Sequence, residues 1–260
     1  MDFREQNRRV WDERAAQRQQ FATPASAAEL RNPIPLIDQC GWLGGDVRGR
    51  RVLCLAAGGG RHGPLFAAAG AVVTVVDLSP QMLALDRQRM AEHGLTMRLV
   101  EASMDDLSPL ADAGFDVVIQ PVSTCYLPDI TAVYREVARV TADNGLYISQ
   151  HKQPVSLQAD ANFSAGGYLL REPYHRQGPL PTVTGSVHRE PGAAEFLHHW
   201  EELLGGLCRS GFVIEDLVEP RHANSSAALG TFEHRSAYAP PYMTLKARRI
   251  AGLRAKLWTP

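Results

Sequence analysis

Between Arg51 and Gln150 the chain alternates short runs of aliphatic and β-branched residues with longer stretches whose apolar residues recur at helical spacing. The short runs predict strands over 51–56, 71–77, 96–101, 115–120 and 145–150. The intervening stretches predict helices over 63–69, 79–93, near 106–111 and over 129–140. Local chemistry supports several boundaries. Ser79 precedes Pro80, an N-cap followed by proline at the first helical position, and Gly94 stands where a C-cap glycine belongs. Asn144-Gly145 signals the turn into the fifth strand. Strands that alternate with helices pair in parallel, and right-handed crossovers place the helices on both faces. The predicted class is α/β, a doubly wound sheet that binds ligands at the C-terminal ends of its strands.

The pattern differs on either side of this core. Residues 3–20 are charged and Gln-rich, with Phe3, Val10 and Trp11 as apolar contacts, and predict a surface helix. A second helical stretch over 27–43 is interrupted near Pro33 and Pro35. Both are too short to bury a core of their own, so residues 1–45 read as a helical lid on a cofactor-binding core at 46–150. Beyond Gln150, Pro154, Pro173, Pro179, Pro181 and Pro191 break any helical period. Residues 151–195 therefore read as an extended insertion, hairpin-like, lying over the ligand face around Tyr168 to His175. A helix is predicted from Ala193 to Ser210 and ended by Gly211. Strands follow at 212–217 and 240–247, able to pair as an antiparallel C-terminal edge. Together, residues 1–260 read as a single domain.

The junction of the first strand and first core helix narrows the function. Val52-Leu-Cys-Leu-Ala-Ala-Gly-Gly-Gly60 runs into Gly63, and Asp77 closes the next strand. Glycines let a ligand approach the backbone, a helix N-terminus offers unpaired N–H groups, and a carboxylate at the second strand end accepts hydrogen bonds from ribose hydroxyls. A nucleoside-containing cofactor is implied. Gly58, Gly60 and Gly63 also fit the dinucleotide spacing G-x-G-x-x-G, so a nicotinamide cofactor stays open at this point.

Composition removes other classes. A formal net charge of −1 provides no field for nucleic acid or an anionic membrane. No apolar run reaches bilayer length, and the polar start Met-Asp-Phe-Arg-Glu lacks a signal-peptide core, so a cytoplasmic protein is expected. Cys40, Cys54, Cys125 and Cys208 are scattered and form no metal-binding pair. The cations from Lys246 onward (Lys246, Arg248, Arg249, Arg254, Lys256) read as a solvated terminal helix. A subunit contact in a homodimer, or a clamp on an anionic substrate, is the alternative.

Five segments in order resemble the class I S-adenosylmethionine (SAM)-dependent methyltransferases. They are Val52 to Gly60, Val75-Val-Asp-Leu-Ser-Pro80, Val100-Glu-Ala-Ser-Met-Asp-Asp-Leu107, Phe115-Asp-Val-Val-Ile-Gln-Pro121, and Tyr134 to Val140 leading into Asn144-Gly145-Leu-Tyr-Ile. Leu203-Leu204 and Gly211 to Leu217 are similar to the family's late helix and sixth strand. The resemblance implies a Rossmann-like fold and SAM held by Ala56, Gly58, Gly60, Asp77, Leu78, Ser103, Met104 and Gln120. Three departures stand out. The family usually has an acid at the position of Cys54 and glycine at that of Ala56; Ser103 stands where Asp is common, with Asp105 nearby.

Methyl transfer is an in-line displacement, so the protein's main task is positioning. An acceptor hydroxyl or carbon also wants a base. His151, directly after strand five, is the expected base, with Tyr126 orienting the acceptor. Seven of the nine histidines fall after residue 150 (His151, His175, His188, His198, His199, His222, His234), but without metal-ligand spacing. No metal is expected. The absence of a basic stripe interleaved with aromatics points to a small organic acceptor rather than a nucleic acid. A SAM-binding protein without methyl transfer, and a nicotinamide oxidoreductase, remain the alternatives.

Overall fold

The computed structural model describes residues 2–183, 188–224 and 226–252. Helix α1 (Phe3–Ala16) is capped by Asp2, whose carboxylate accepts the Arg4 and Glu5 amides at 3.0 and 3.3 Å. Short helices α2 (Ala27–Arg31) and α3 (Ile34–Ile37) follow, separated at Pro33. The core then runs β1 (Arg51–Leu55), α4 (His62–Ala68), β2 (Val72–Asp77), α5 (Pro80–His93), β3 (Met97–Glu101), β4 (Phe115–Gln120), α6 (Ile130–Val140) and β5 (Thr141–Lys152). The chain continues through α7 (Pro154–Gln158), a π turn (Glu201–Gly205) running into α8 (Gly206–Arg209), β6 (Phe212–Val218), α9 (Phe232–Ser236) and β7 (Tyr242–Arg249).

The seven strands form one sheet in the order β3-β2-β1-β4-β5-β7-β6. Strands β1 to β5 are parallel, and β7 lies antiparallel between β5 and β6. This is a mostly parallel, Rossmann-like doubly wound sheet with an antiparallel C-terminal side. Alternation along β1 builds both core layers. Leu53 and Leu55 face α6 and α8, while Val52 and Cys54 face α4 and α5. Helix α6 buries Ile130, Val133, Tyr134, Val137 and Val140 along one stripe, each worth roughly 1.5–3 kcal/mol. Among the described residues no helix is long and apolar enough to cross a membrane.

Several sequence-based boundaries need correction. No helix forms near 106–111, because Ser108-Pro109 falls in its middle; Leu107 and Leu110 are instead buried under α6, with their carbonyls bound by Arg139. Strand β5 starts at Thr141, four residues early, with Asn144-Gly145 bulged out opposite Asp116. The helix expected over Ala193–Ser210 begins only near Trp200. Residues 193–197 run extended because Ala193, Ala194 and Phe196 fill a gap between α1 and the turn at 124–126 while Leu197 packs on Leu157 and Leu180, with the Phe196 amide donating to the Cys125 carbonyl at 2.7 Å. The insertion after β5 forms α7 and then doubles back through two nested antiparallel bridges, Ala159 with Leu170 and Ser164 with Gly167. Buried Arg235 pins it, donating to the carbonyls of Ser156, Ala159 and Asp160 at 2.7–2.8 Å. Lys246, Arg248 and Arg249 belong to β7 rather than a terminal helix; Arg254 and Lys256 lie outside the described residues.

Candidate active site

A cavity of about 550 Å3 opens over the C-terminal ends of β1 to β5, at the switch in strand order between β1 and β4. One end is built by the loops after β1, β2 and β3, which contribute Ala56, Gly58, Asp77, Leu78, Ser103 and Met104. The glycine loop is tightly constrained. Ala56 takes φ +47°, a left-handed conformation that costs an L-residue about 1 kcal/mol. A Cβ on Gly58 would sit 2.9 Å from Met82 Cβ and 3.0 Å from Asp77 Oδ2, so only glycine fits. A Cβ on Gly63 would sit 2.5 Å from Val75 Cγ2, which makes that glycine a packing requirement of α4 against the sheet.

Asp77 is oriented by two amides. Its Oδ2 accepts from Gly58 N–H and its Oδ1 from Ser79 N–H, both at 2.9 Å. Burial pushes its carboxyl up to about 6, against the pull of those amides. Ser103 donates to Asp105, and Arg4 of α1 binds the same carboxylate. Burial alone would raise Asp105, but Arg4 and Ser103 outweigh it and hold it below the usual range.

Helix α1 is a fixed wall of the cavity. Its buried Asn7 donates to the carbonyls of Tyr126 and Ala194 at 2.9 and 3.1 Å and accepts from Ala194 N–H at 2.8 Å. Trp11 meets Tyr126 edge to face at 5.7 Å, and Asp12 accepts from the Ser79 hydroxyl at 2.6 Å. Asn7→Ala would leave three buried backbone groups unpaired, and a loss of about 1–3 kcal/mol is expected from thermal unfolding. An unchanged midpoint would show that α1 is held by its apolar contacts alone.

The other end of the cavity gathers Ser123, Tyr126, Gln150, Glu190, His222 and Tyr242. Burial raises the Tyr126 phenol well above its ordinary value, and its hydroxyl donates to Glu190. Glu190 is in turn bound by buried Lys152 at 2.6 Å, which also binds Glu195 at 2.5 Å. His222 packs edge to face against Phe232 and Tyr242, at 5.4 and 5.6 Å, and its Nε2 is buried without a partner. Among the described residues, no cluster of His, Cys, Asp or Glu could hold a metal ion.

The sequence profile described as "Methyltransferase domain" matches residues 53–149. The uncharacterized methyltransferase YbaJ of Bacillus subtilis is 37% identical over 179 residues, spanning 67% of this chain and 70% of that protein. A SAM-dependent methyltransferase from Mesorhizobium loti superposes with TM-score 0.63 at 25% identity, covering 78% of this chain and 93% of its own. The chain belongs to the class I SAM-dependent methyltransferases.

This methyltransferase also shares its fold with the 1,6-didemethyltoxoflavin-N1-methyltransferase of Burkholderia thailandensis, solved with 1,6-didemethyltoxoflavin and S-adenosylhomocysteine. That match has TM-score 0.55 at 18% identity, over 94% of this chain and 87% of the other. SAM is the cofactor. The dinucleotide alternative falls, because β5 is followed by an antiparallel strand and not by a second mononucleotide-binding half.

Of the residues singled out from sequence, the cavity brings together Ala56, Gly58, Asp77, Leu78, Ser103, Met104 and Tyr126. It does not reach Gly60, Gln120 or His151. Gly60 faces away, its missing Cβ directed at the Leu85 carbonyl and Pro24. Gln120 is buried beneath the floor, donating to Ser123 Oγ at 2.9 Å and accepting from Tyr147 at 2.6 Å. His151 is fully buried, its Nδ1 bonded to Thr124 Oγ1 at 2.9 Å and its Nε2 to Ser149 Oγ at 2.8 Å. Burial lowers it to about 3, so the ring stays neutral and ties β5 to the turn at 124–126. Tyr168, Tyr174 and His175 also lie off the cavity wall; of the described residues in 151–195, only Glu190 lines it.

Proposed function

We propose that this methyltransferase acts on a small organic acceptor that presents a hydroxyl group. SAM, when bound, supplies an electrophilic methyl group carried on a sulfonium. The chain's residues divide the remaining work. The Gly58 cradle admits the cofactor close to the backbone, Asp77 accepts from its ribose hydroxyls, and Ser103 and Met104 flank the adenine. Among the cavity-lining residues, Ser123, Tyr126, Gln150, Glu190 and Tyr242 form the acceptor end, with Tyr126 and Tyr242 supplying aromatic surface. His222 accepts the hydroxyl proton at Nε2.

The observation that carries this reading is the His222 imidazole, which lines the cavity and whose Nε2 no group among the described residues binds. An imidazole nitrogen without a partner can act as a general base toward an acceptor hydroxyl. The walls of α1 and of the loops before α9 and β7 leave room for a small molecule, in keeping with the 1,6-didemethyltoxoflavin held by the Burkholderia neighbour.

The cofactor assignment is tested by calorimetric titration with S-adenosylhomocysteine. Asp77→Ala removes a charged acceptor and should weaken binding by about 1.5–3 kcal/mol, roughly 10- to 150-fold. Wild-type affinity in that variant would remove Asp77 from the site. The acceptor assignment is tested by screening hydroxylated and amine-bearing compounds for S-adenosylhomocysteine production. Turnover confined to amines would overturn it.

A further inference from the structure

We propose that Asp86 is a positioning residue for the cofactor, a carboxylate brought from α5 that holds the glycine loop in binding shape where β1 supplies only Cys54. The inference rests on the reading of residues 56–60 as the cofactor cradle. Asp86 lies on the apolar face of α5 beside Met82, Leu83 and Leu85 and is completely buried. Its Oδ2 accepts the Gly59 N–H at 3.0 Å, an amide that also reaches the Met82 carbonyl at 3.0 Å. Asp77 holds the preceding amide, Gly58 N–H, from β2. Successive amides of one loop are thus gripped by two carboxylates from different elements.

A purely architectural role does not account for an acid here. The Asp86 Oδ1 is buried and closes no hydrogen bond, and an incompletely bonded carboxylate in an apolar layer is destabilising. The charges around it give little relief. Burial pushes Asp86 up to about 7 and Asp77 adds to that, while the Gly60 and Gly59 amides and Arg87 of the same helix pull the other way. The Cys54 thiol on β1 is held neutral, mainly by burial and further by the Asp86 charge, which places the two side chains as neighbours. Alanine or leucine would fill the position at lower cost. The acid supplies an anchor for the Gly59 amide. Fixing the loop before the ligand arrives lowers the ordering cost of binding.

The experiment compares wild-type protein with Asp86→Ala, Asp86→Asn and the double variant Cys54→Asp/Asp86→Ala. S-adenosylhomocysteine affinity is read by calorimetry, and the midpoint of the ligand-free protein by thermal unfolding. Asp86→Ala should weaken binding about 10-fold or more, with a midpoint at or above wild type because a strained buried charge has gone. The double variant should recover most of the affinity, since an acid on β1 reaches the same neighbourhood. Asp86→Asn, which keeps the shape but not the charge, should bind several-fold more weakly, and it carries the test if the alanine variant does not fold. Wild-type affinity in either single variant overturns the assignment. So does a joint loss of affinity and stability in Asp86→Ala without recovery in the double variant, which would make Asp86 structural. Failure of wild-type protein to bind S-adenosylhomocysteine would remove the cradle reading itself, and this assignment with it.

Discussion

Replacing Lys152 with methionine should lower the thermal midpoint by roughly 6–20 °C, the largest stability effect expected from one substitution in this protein. The Lys152 ammonium is 3% exposed and bridges Glu190 and Glu195, whose side chains are 9% and 0% exposed. Burial alone would lower Lys152 and raise Glu190. Their pairing overrides it, so the ammonium is held well above its ordinary value and the Glu190 carboxyl below its own. Methionine fills the volume of the aliphatic stem but takes the ammonium from two buried carboxylates, leaving Arg189 on Glu195, at 2.5 Å, and the Tyr126 hydroxyl on Glu190. Breaking a buried pair by removing one partner costs about 3–5 kcal/mol, and a chain of this size loses about 2–4 °C per kcal/mol. Adding Glu190→Gln to Lys152→Met should recover part of the loss, because Glu195 keeps its guanidinium. A midpoint within two degrees of wild type in the single variant, about the smallest shift that 1 kcal/mol produces, would mean the cluster is already neutral.

His222→Ala should reduce turnover by about 10²–10⁴-fold with S-adenosylhomocysteine affinity intact. The measurement uses whichever hydroxylated compound the library screen returns. His222 lies at the end of the cavity away from Asp77 and the glycine loop, so cofactor binding serves as the internal control. A base acts in the chemical step, so kcat should fall more than KM moves. A rise in KM with kcat held would show that the ring only orients the acceptor. His151→Gln makes the contrast: the residue is sealed below the floor, so its effect should appear as lost stability and not as an altered pH profile.

The core fold was largely legible because local signals and tertiary demands agree there. The 3.6-residue stripe of α6, the Ser79-Pro80 start of α5 and the β-branched runs of β1 and β2 each satisfy both. The misreadings come from places where they diverge. Ala193, Ala194 and Phe196 suit a helix by composition, yet the gap beside α1 takes them extended. At the end of β5, the alternation of the strand separates His151 from the cavity. Ser149 and His151 point to the α6 face, where the His151 ring lies 6.4 Å from Tyr134, while Gln150 between them reaches the cavity. His222 had no local signal, since its position depends on a loop between β6 and β7 folding back over strands far earlier in the chain. Asp86 did have one: an acid in register with Met82, Leu83 and Leu85 on the buried face of a helix. An acid placed there is a departure from amphipathic patterning that asks for an explanation.

The seating of β7 imposes an order on how this protein comes into being. Among the described residues strand β6 pairs only with β7, and β7 is made after it. While the chain emerges during synthesis, β5 keeps an open flank and β6 has nothing to pair with until the residues around Tyr242 to Arg249 are available. Strand β7 is thus a keystone inserted between two earlier ones, and the nascent chain carries an unpaired sheet margin, a template for aggregation, from the emergence of β5 until β7 is made.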